Sequence, residues 1–276
     1  MIFSKVYIAP DLTTKQQLLD KDLRTNRKKF KDEGKHENVR IKAGKVICDQ
    51  GNEIKNTVST GICKSCSVNN FKCVFLNARS IVNNLKLEEL NVFVAMHNIK
   101  VIGIAESWLH DSIETCEVSV ANFTTYRRDR SEIKAGRGGG VLLYVHNSLP
   151  SSLCSELNSF NNESVWCKIS TGAASDSDLY VGVVCRSPNA DVSEINELFS
   201  AIKYIACKQV VVMGDFNYPG IDWEILQSDR DGEDFLNVVQ DCFLYQHVLT
   251  PTRGSNILDL VLSFEEGTIE DVEEIK

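Results

Sequence analysis

The spacing of hydrophobic residues changes near residue 71. Residues 1–70 are dominated by charged, amide and small polar side chains, whereas short apolar runs alternate with helical patterns from Phe71 onward. Short apolar runs predict buried strands, and apolar residues spaced three, four and seven apart predict amphipathic helices. The predicted strands are 71–76, 101–105, 140–145, 180–184, 209–213 and 257–262. The predicted helices are 86–98, one that opens at a capping box over 191–194, and one around 235–242.

This interleaving of strands and helices predicts a layered α/β fold, with parallel and antiparallel pairing left open. Residues 1–49 are expected to form a charged N-terminal appendage, residues 50–70 a linker, and residues 71–276 the main domain. The appendage pattern favours a solvated helix followed by a two-stranded turn around Ala43-Gly44, with a nucleic-acid contact as the alternative. Its low apolar content predicts that residues 1–70 stay outside the main core.

Charge is distributed unevenly along the chain. The net charge is −8, but residues 1–50 contain twelve Lys and Arg against seven Asp and Glu. A chain that is acidic elsewhere does not have the overall basic character of a nonspecific nucleic-acid binder. The Cys63-Lys-Ser-Cys66 spacing, with Cys48 and Cys73 nearby, allows a zinc site, but free thiols in a reducing compartment are favoured because the second half of a zinc pattern is missing.

Polar residues recur where the predicted strands end. Asn77 follows the first strand, Glu106 follows the second, and Asp215 and Asn217 follow the run that ends at Met213. Asp259 lies inside an apolar strand, where a carboxylate is costly without a partner. Oxygen ligands of this kind suit Mg²⁺, and a metal-assisted attack of water on phosphorus would use such a set. The pattern therefore favours a magnesium-dependent phosphoryl site, although single Asp or Asn residues often end strands as turn residues.

The same segments resemble the endonuclease/exonuclease/phosphatase superfamily, and most of all the endonuclease domains of non-LTR retrotransposons. The shared motifs are FLNARSI (75–81), IAESWL (104–109), YRRDR (126–130), RGGGVLLYV (137–145), RSPN (186–189), GDFNYPGIDW (214–223) and LDLVLS (258–263). The resemblance covers residues 71–276. It implies a four-layered α/β sandwich of the DNase I-like type, cofactor Mg²⁺, partner DNA, and nicking of DNA to prime reverse transcription.

The resemblance also implies a role for each matching residue. Glu106 and Asn77 match metal-binding positions, and Asp215 matches the aspartate that positions or deprotonates the attacking water. Asn217 matches the asparagine that binds the scissile phosphate, and Asp259 the aspartate that orients a catalytic histidine. Asn189 matches a residue near the DNA backbone. Arg137 and Arg186 are candidate DNA contacts, with ordinary surface charges as the alternative.

Two departures from the family pattern bear on activity. Cys185 stands where the family has Tyr, and a thiol cannot make the phenol's hydrogen bond at the same reach. The family's Ser-Asp-His motif should follow a few residues beyond Lys276, and none of His36, His97, His110, His146 and His247 replaces it by motif. We therefore expect the sandwich to lack its last strand, the acidic segment 265–276 to lie free of the sheet, and the chain as given to be a weak or inactive nuclease.

Several alternatives stay open at the level of sequence. A phosphatase of the same superfamily acting on a small or lipid phosphate is one, and a non-catalytic remnant of a mobile element is another. Gly138–Gly140 favours a turn into a strand over a phosphate cradle. Trp108 and Trp223 are expected to pack beside the site, with stacking on DNA as the alternative. No membrane span and no obligate protein partner are predicted, and the expected location is intracellular, in the nucleus for an active element.

Overall fold

The computed structural model of the protein contains two six-stranded sheets. It describes residues 3–8, 39–42, 45–48, 71–82, 84–133, 138–170 and 178–275. The strands in chain order are β1 Phe3–Ile8, β2 Val39–Lys42, β3 Lys45–Cys48, β4 Phe71–Asn77, β5 Ile99–Ala105, β6 Phe123–Arg128, β7 Val141–His146, β8 Ser151–Leu153, β9 Ser164–Ile169, β10 Leu179–Cys185, β11 Gln209–Asp215, β12 Ile221–Asp222, β13 Gln227–Ser228, β14 Tyr245–Gln246, β15 Asp259–Ser263 and β16 Ile269–Ile275. The helices are α1 Asn84–His97, α2 Ser155–Asn158, α3 Val192–Ile205 and α4 Arg230–Asp241.

The strand order differs between the two sheets. The first sheet runs β16-β1-β4-β5-β7-β6, and the second runs β14-β15-β11-β10-β9-β8. Each contains one parallel pair at its centre, β4 with β5 and β10 with β11, and the other neighbours are antiparallel. The parallel pairs are connected through α1 and α3, as a crossover between parallel strands requires. Pairing direction, which the sequence pattern left open, is therefore mixed.

Apolar side chains form three clusters that separate four layers. One cluster lies between the outer face of the first sheet and α1, and includes Val74, Ile102 and Leu90. The second fills the space between the two sheets, and the third lies between the second sheet and the helices α3 and α4. The central strands of both sheets are covered by these clusters on both faces. Such strands need apolar residues at nearly every position, which explains the continuous apolar runs of the sequence. The four-layered α/β sandwich is confirmed.

Contacts divide the chain into two compact units, residues 1–9 with 70–276 and residues 10–69. Within the second unit, β2 and β3 form an antiparallel hairpin in which Lys42 pairs with Lys45, in agreement with the predicted turn at Ala43-Gly44. The side chain of Cys48, together with Cys63 and Cys66 of the possible zinc site, lies outside the described residues. Among those that are described, Cys73 is a buried free thiol.

The first sheet differs from expectation at both ends of the chain. Strand β1 pairs antiparallel with β4 on one side and with β16 on the other. Residues 3–8 were expected to belong to the appendage, because six residues carry too short a pattern to reveal a strand that is completed by distant partners. The linker over 50–70 stays a prediction.

The expectation that residues 265–276 lie free of the sheet is wrong. Residues 269–275 form β16, with Ile269 buried in the cluster between the sheets and Val272 packed against it. Glu270, Asp271 and Glu273 are exposed. Acidic residues on the exposed side of an edge strand discourage pairing with other chains. Because residues 265–276 contain several of them, this segment did not show the apolar pattern that predicts a strand. Among the described residues, no helix is long and apolar enough to cross a membrane.

Candidate functional site

The ends of the central strands bring polar side chains to one edge of each sheet. In the first sheet, Asn77 is the last residue of β4 and pairs in register with Ala105, directly before Glu106. In the second sheet, Cys185 ends β10 and pairs with Asp215, which ends β11. Because both pairs are parallel, their carboxyl ends meet at the same edge of their sheet.

Two hydrogen bonds join these edges across the sandwich. Asn77 Nδ2 donates to Asp215 Oδ2 at 2.7 Å, and Cys185 Sγ donates to Glu106 Oε1 at 3.5 Å. Asp259 begins β15 and is the register partner of Asp215. The structure thus brings together Asn77, Glu106, Asp215 and Asp259, four of the polar residues that the sequence singled out.

Glu106 is held as an anion by donors from two segments. Its Oε2 accepts from Trp108 Nε1 at 2.6 Å and from Gly139 N at 2.9 Å, and Arg130 Nη2 lies 3.7 Å from its Oε1. Burial alone would raise the pKa of this carboxyl. The Gly139 and Trp108 hydrogen bonds and the charge of Arg130 outweigh burial and lower the pKa below its usual value. Trp108, expected as a packing residue, therefore serves the site directly.

The Gly138–Gly140 segment supplies backbone donors to the protein's own carboxylates. Gly139 N binds Glu106, and Gly140 N donates to Glu163 Oε2 at 3.0 Å before the chain enters β7. The segment is therefore a turn into a strand, as the sequence favoured, and its described N–H groups at 139 and 140 are already engaged. Glu163 also accepts from Arg130 Nε at 2.6 Å. Sequence reasoning missed Glu163 because no motif pairs it with the YRRDR segment.

Asp215 is buried and bound through one oxygen. Its Oδ2 accepts from Asn77 and from Arg253 Nη2, the latter at 2.8 Å. Burial outweighs the charge of Arg253 and raises the pKa of Asp215. Burial and the neighbouring Asp215 charge also raise the pKa of Asp259 to about 6. Arg253 was missed by sequence reasoning, although its place in the Thr-Arg-Gly turn shortly before LDLVLS is a usable signal.

The remaining predicted residues surround this edge less closely. Asn217 follows β11 with φ 55°, and its carbonyl accepts from Arg186 Nη1 at 3.0 Å. The Arg186 guanidinium carbon also lies 3.9 Å from the centre of the Tyr218 ring. Asn189 is exposed in the turn between β10 and α3. Arg137 lies outside the described residues.

The donor set fits a hard divalent cation. Asn77 Oδ1 and Asp215 Oδ1 are buried without a hydrogen-bond partner, and buried oxygens in that state require an explanation. Amide and carboxylate oxygens are ligands of Mg²⁺, which keeps several waters and needs only one or two carboxylates. Within the described ranges, no three His, Cys, Asp or Glu side chains are grouped as a metal site, so a cation here would depend on the amide and on water as well.

Fold and site together define a two-sheet α/β sandwich with an oxygen-rich site where the sheet edges meet. A family model described as Endonuclease-reverse transcriptase matches residues 179–275. No curated protein matches the chain significantly.

Solved structures with the same fold include two nucleic-acid enzymes. The endonuclease domain of TRAS1, a telomere-specific non-LTR retrotransposon, is 15% identical with a TM-score of 0.51, over 70% of this chain and 85% of that one. The AP endonuclease LMAP from Leishmania major is 11% identical with a TM-score of 0.51, over 70% of this chain and 78% of that one. The chain therefore shares its fold with these two endonucleases, and its residues 179–275 match the Endonuclease-reverse transcriptase family model.

Proposed function

We propose that this chain hydrolyses phosphodiester bonds in DNA with Mg²⁺ as cofactor, and that it nicks one strand to prime reverse transcription. The observation that carries the proposal is the pair of buried, unpartnered oxygens, Asn77 Oδ1 and Asp215 Oδ1, beside the anionic Glu106. Hydrolysis at phosphorus needs a held cation, an activated water and groups that bind the phosphate, and this edge offers candidates for each.

Glu106 and Asn77 are the residues that would hold the cation. When bound there, Mg²⁺ supplies Lewis-acid stabilisation of charge on the phosphate oxygens. Glu106 suits this task because its lowered pKa keeps it charged at neutral pH. The hydrogen bonds from Trp108 and Gly139 fix the orientation of the Glu106 carboxylate before a ligand binds. A carboxylate that is already oriented needs no reorganisation when the ligand binds.

Asp215 and Asn217 would act on the water and the phosphate. Asp215 Oδ1 can accept a proton from a water molecule, because its other oxygen is already occupied by Asn77 and Arg253. Asn217 adopts a left-handed conformation directly after β11, and such conformations gather at functional sites. Its amide can donate to a phosphate oxygen.

DNA is the proposed substrate for two reasons. The matching family model is described as Endonuclease-reverse transcriptase and includes Asp215, Asn217 and Asp259. Arg186 and Asn189 lie in the segment that leaves β10 beside the site, where they can contact phosphates on either side of the reacting one. The assignment of Asn189 and Arg186 to DNA contacts, and of Asp259 to the catalytic set, belongs to this proposal.

Nicking of supercoiled plasmid with Mg²⁺ tests the proposal. We expect the wild-type chain to convert supercoiled to open-circular DNA slowly, in keeping with the weak activity expected from its sequence, and Glu106→Gln and Asp215→Asn to lower that rate by roughly 100-fold or more. Glu156→Gln is the matched control, because this exposed glutamate lies on α2 and accepts its hydrogen bond from Cys154 rather than from a residue of the site. A rate that EDTA leaves unchanged would contradict the role of the cation.

A second substrate in the same assay separates the related activities. Release of inorganic phosphate from a small phosphomonoester, without nicking, would reassign the chain to the phosphatases of the superfamily. Neither reaction, by a chain whose circular dichroism and Tm show that it is folded, would indicate a non-catalytic remnant. Nicking that Glu106→Gln does not reduce would point to a contaminating nuclease and overturn the proposal for this site.

A further inference from the structure

Two buried carboxylates lie side by side on neighbouring strands of the second sheet. Asp215 and Asp259 are register partners in the antiparallel pair β11–β15, and only 4% and 9% of their surfaces are exposed. Opposed side chains of an antiparallel pair have Cβ atoms about 5 Å apart, and like charges in that position repel each other. The pair therefore needs a positive group nearby if both are to be ionised.

Arg253 provides that positive group. Its Nη2 lies 2.8 Å from Asp215 Oδ2 and 3.9 Å from Asp259 Oδ1. Among the residues that the structure describes, no other cationic side chain forms an ion pair with either aspartate. The Arg253 side chain is 38% exposed, so one end of it reaches the buried pair while the rest faces solvent.

The backbone around Arg253 is fixed by the turn that carries it. Arg253 and Asn256 exchange two backbone hydrogen bonds of 3.1 Å around the Gly254-Ser255 turn. Thr252 Oγ1 accepts from Leu258 N at 3.1 Å and from Asp259 N at 3.0 Å. The residue before Arg253 is thus tied to the first residue of β15, which sets the distance between the guanidinium and the aspartates.

Both donors to Asp215 bind the same oxygen. Asn77 Nδ2 approaches Oδ2 from the first sheet and Arg253 Nη2 approaches it from the turn, whereas Oδ1 accepts no hydrogen bond. Two donors on one oxygen restrict rotation of the carboxylate. We infer that Arg253 is a positioning residue, which holds Asp215 so that Oδ1 faces the reacting group and keeps Asp259 beside it. This inference rests on the proposed hydrolytic function.

Thermal unfolding tests the charge coupling without any need for activity. We expect Arg253→Ala to lower the Tm at neutral pH by roughly 5–10 °C, because the two buried carboxylates lose their cation and must either repel each other or bind a proton. In an Asp259→Asn background the same substitution should cost less than half as much, since one of the charges is gone. Equal losses in the two backgrounds would mean that Arg253 is not coupled to the pair, and the inference would be wrong.

Plasmid nicking tests the positioning role. Arg253→Ala should lower kcat by roughly 100-fold with KM for DNA nearly unchanged, because a misplaced catalytic group can cost that much. Arg253→Lys should recover part of kcat, and millimolar guanidinium should partly rescue Arg253→Ala, whereas equimolar urea should not. Arg230→Ala, on the exposed first residue of α4, is the control and should leave kcat unchanged.

The outcomes separate this inference from the proposed function. An unchanged kcat with a raised KM would make Arg253 a substrate contact and overturn the positioning role. If the wild-type chain hydrolyses neither DNA nor a phosphomonoester, the proposed function fails and so does the positioning of a reacting group. The thermal experiment still decides, by itself, whether Arg253 compensates the aspartate pair.

Discussion

Left-handed backbone conformations gather around the candidate site. Glu106 has φ 53°, Trp108 φ 56° and Asn217 φ 55°, and each conformation costs a non-glycine residue about 1 kcal/mol. Hydrogen bonds to the Glu106 side chain from Trp108 and Gly139 help to hold the Glu106–Trp108 segment in place. The strain lies where orientation of a carboxylate matters, which is the pattern expected of a functional site.

Gly139 is the residue at which backbone conformation and close packing coincide. Its φ is +69°, and a Cβ there would stand 2.1 Å from Arg130 Nε. Gly254 has a similar φ of +64°, but a Cβ there would meet nothing within 4 Å. We expect Gly254→Ala to lower the free energy of unfolding by about 1 kcal/mol and Gly139→Ala by roughly 2–4 kcal/mol, as urea denaturation would measure. Equal losses would show that Arg130 moves aside freely.

At the scale of elements, the short edge strand β14 is attached to β15 partly through a histidine. Tyr245 pairs with Ser263, Gln246 pairs with Leu262, and His247 N donates to Val261 O at 3.0 Å. The His247 Nε2 also lies 2.7 Å from Ser263 Oγ, which itself donates to the Glu265 carbonyl. The imidazole therefore donates from Nε2 and is accommodated in its neutral form.

This environment makes stability depend on pH through His247. Burial lowers the pKa of His247 to about 4, whereas an unfolded histidine titrates near its ordinary value of 6.5. The unfolded chain therefore binds the proton first as pH falls, and stability is lost progressively between about pH 6.5 and pH 4. The full loss is up to about 3 kcal/mol, at roughly 1.4 kcal/mol per pKa unit.

Comparison of the wild-type chain with His247→Gln measures this contribution. The raised pKa of Asp259 acts in the opposite direction over part of the same range, so the slope of either protein alone is not diagnostic. We expect the free energy of unfolding of the variant to fall less steeply than that of the wild type between pH 6.5 and pH 4. Parallel curves would mean that His247 titrates alike in the folded and unfolded chains.

At the scale of the whole molecule, the sandwich places its site where the ends of two sheets meet. The apolar cluster between the sheets includes Cys185, and the buried aspartates lie at its margin. Residues 1–9 belong to this compact unit together with 70–276, and residues 10–69 form a unit of their own. The boundary between residues 69 and 70 falls within the predicted linker over 50–70. The boundary between residues 9 and 10 does not.

Limited proteolysis under native conditions tests this organisation. We expect the first stable cut to fall between about residues 50 and 70, in the segment rich in Gly, Ser and Asn. If β1 is paired on both sides as described, a peptide containing residues 3–8 should copurify with the large fragment until denaturant is added. A uniformly resistant chain would contradict the linker, and immediate loss of the N-terminal peptide would contradict the pairing of β1.

The sequence by itself determined the central elements and most of the candidate site. Buried strands and amphipathic helices have strong local periodicity, so β4, β5, β10 and β11 were predicted within one or two residues of their observed ends. The same periodicity places Asn77, Glu106 and Asp215 after apolar runs. The recurrence of such residues suggested a shared site, but the parallel pairing that brings the strand ends to one edge of each sheet was decided by the tertiary structure.

Only the tertiary structure decided the pairing of the outer strands and the partners of the charged residues. β1 is recognisable as a strand because it pairs with β4 and β16, and β16 because it pairs with β1, although β1 and β16 lie more than 250 residues apart in the chain. Glu163 and Arg253 matter because distant groups, Arg130 and Asp215, stand beside them. Local sequence reports which residues favour burial or a given backbone conformation, whereas a charge acquires its partner only when the chain is folded.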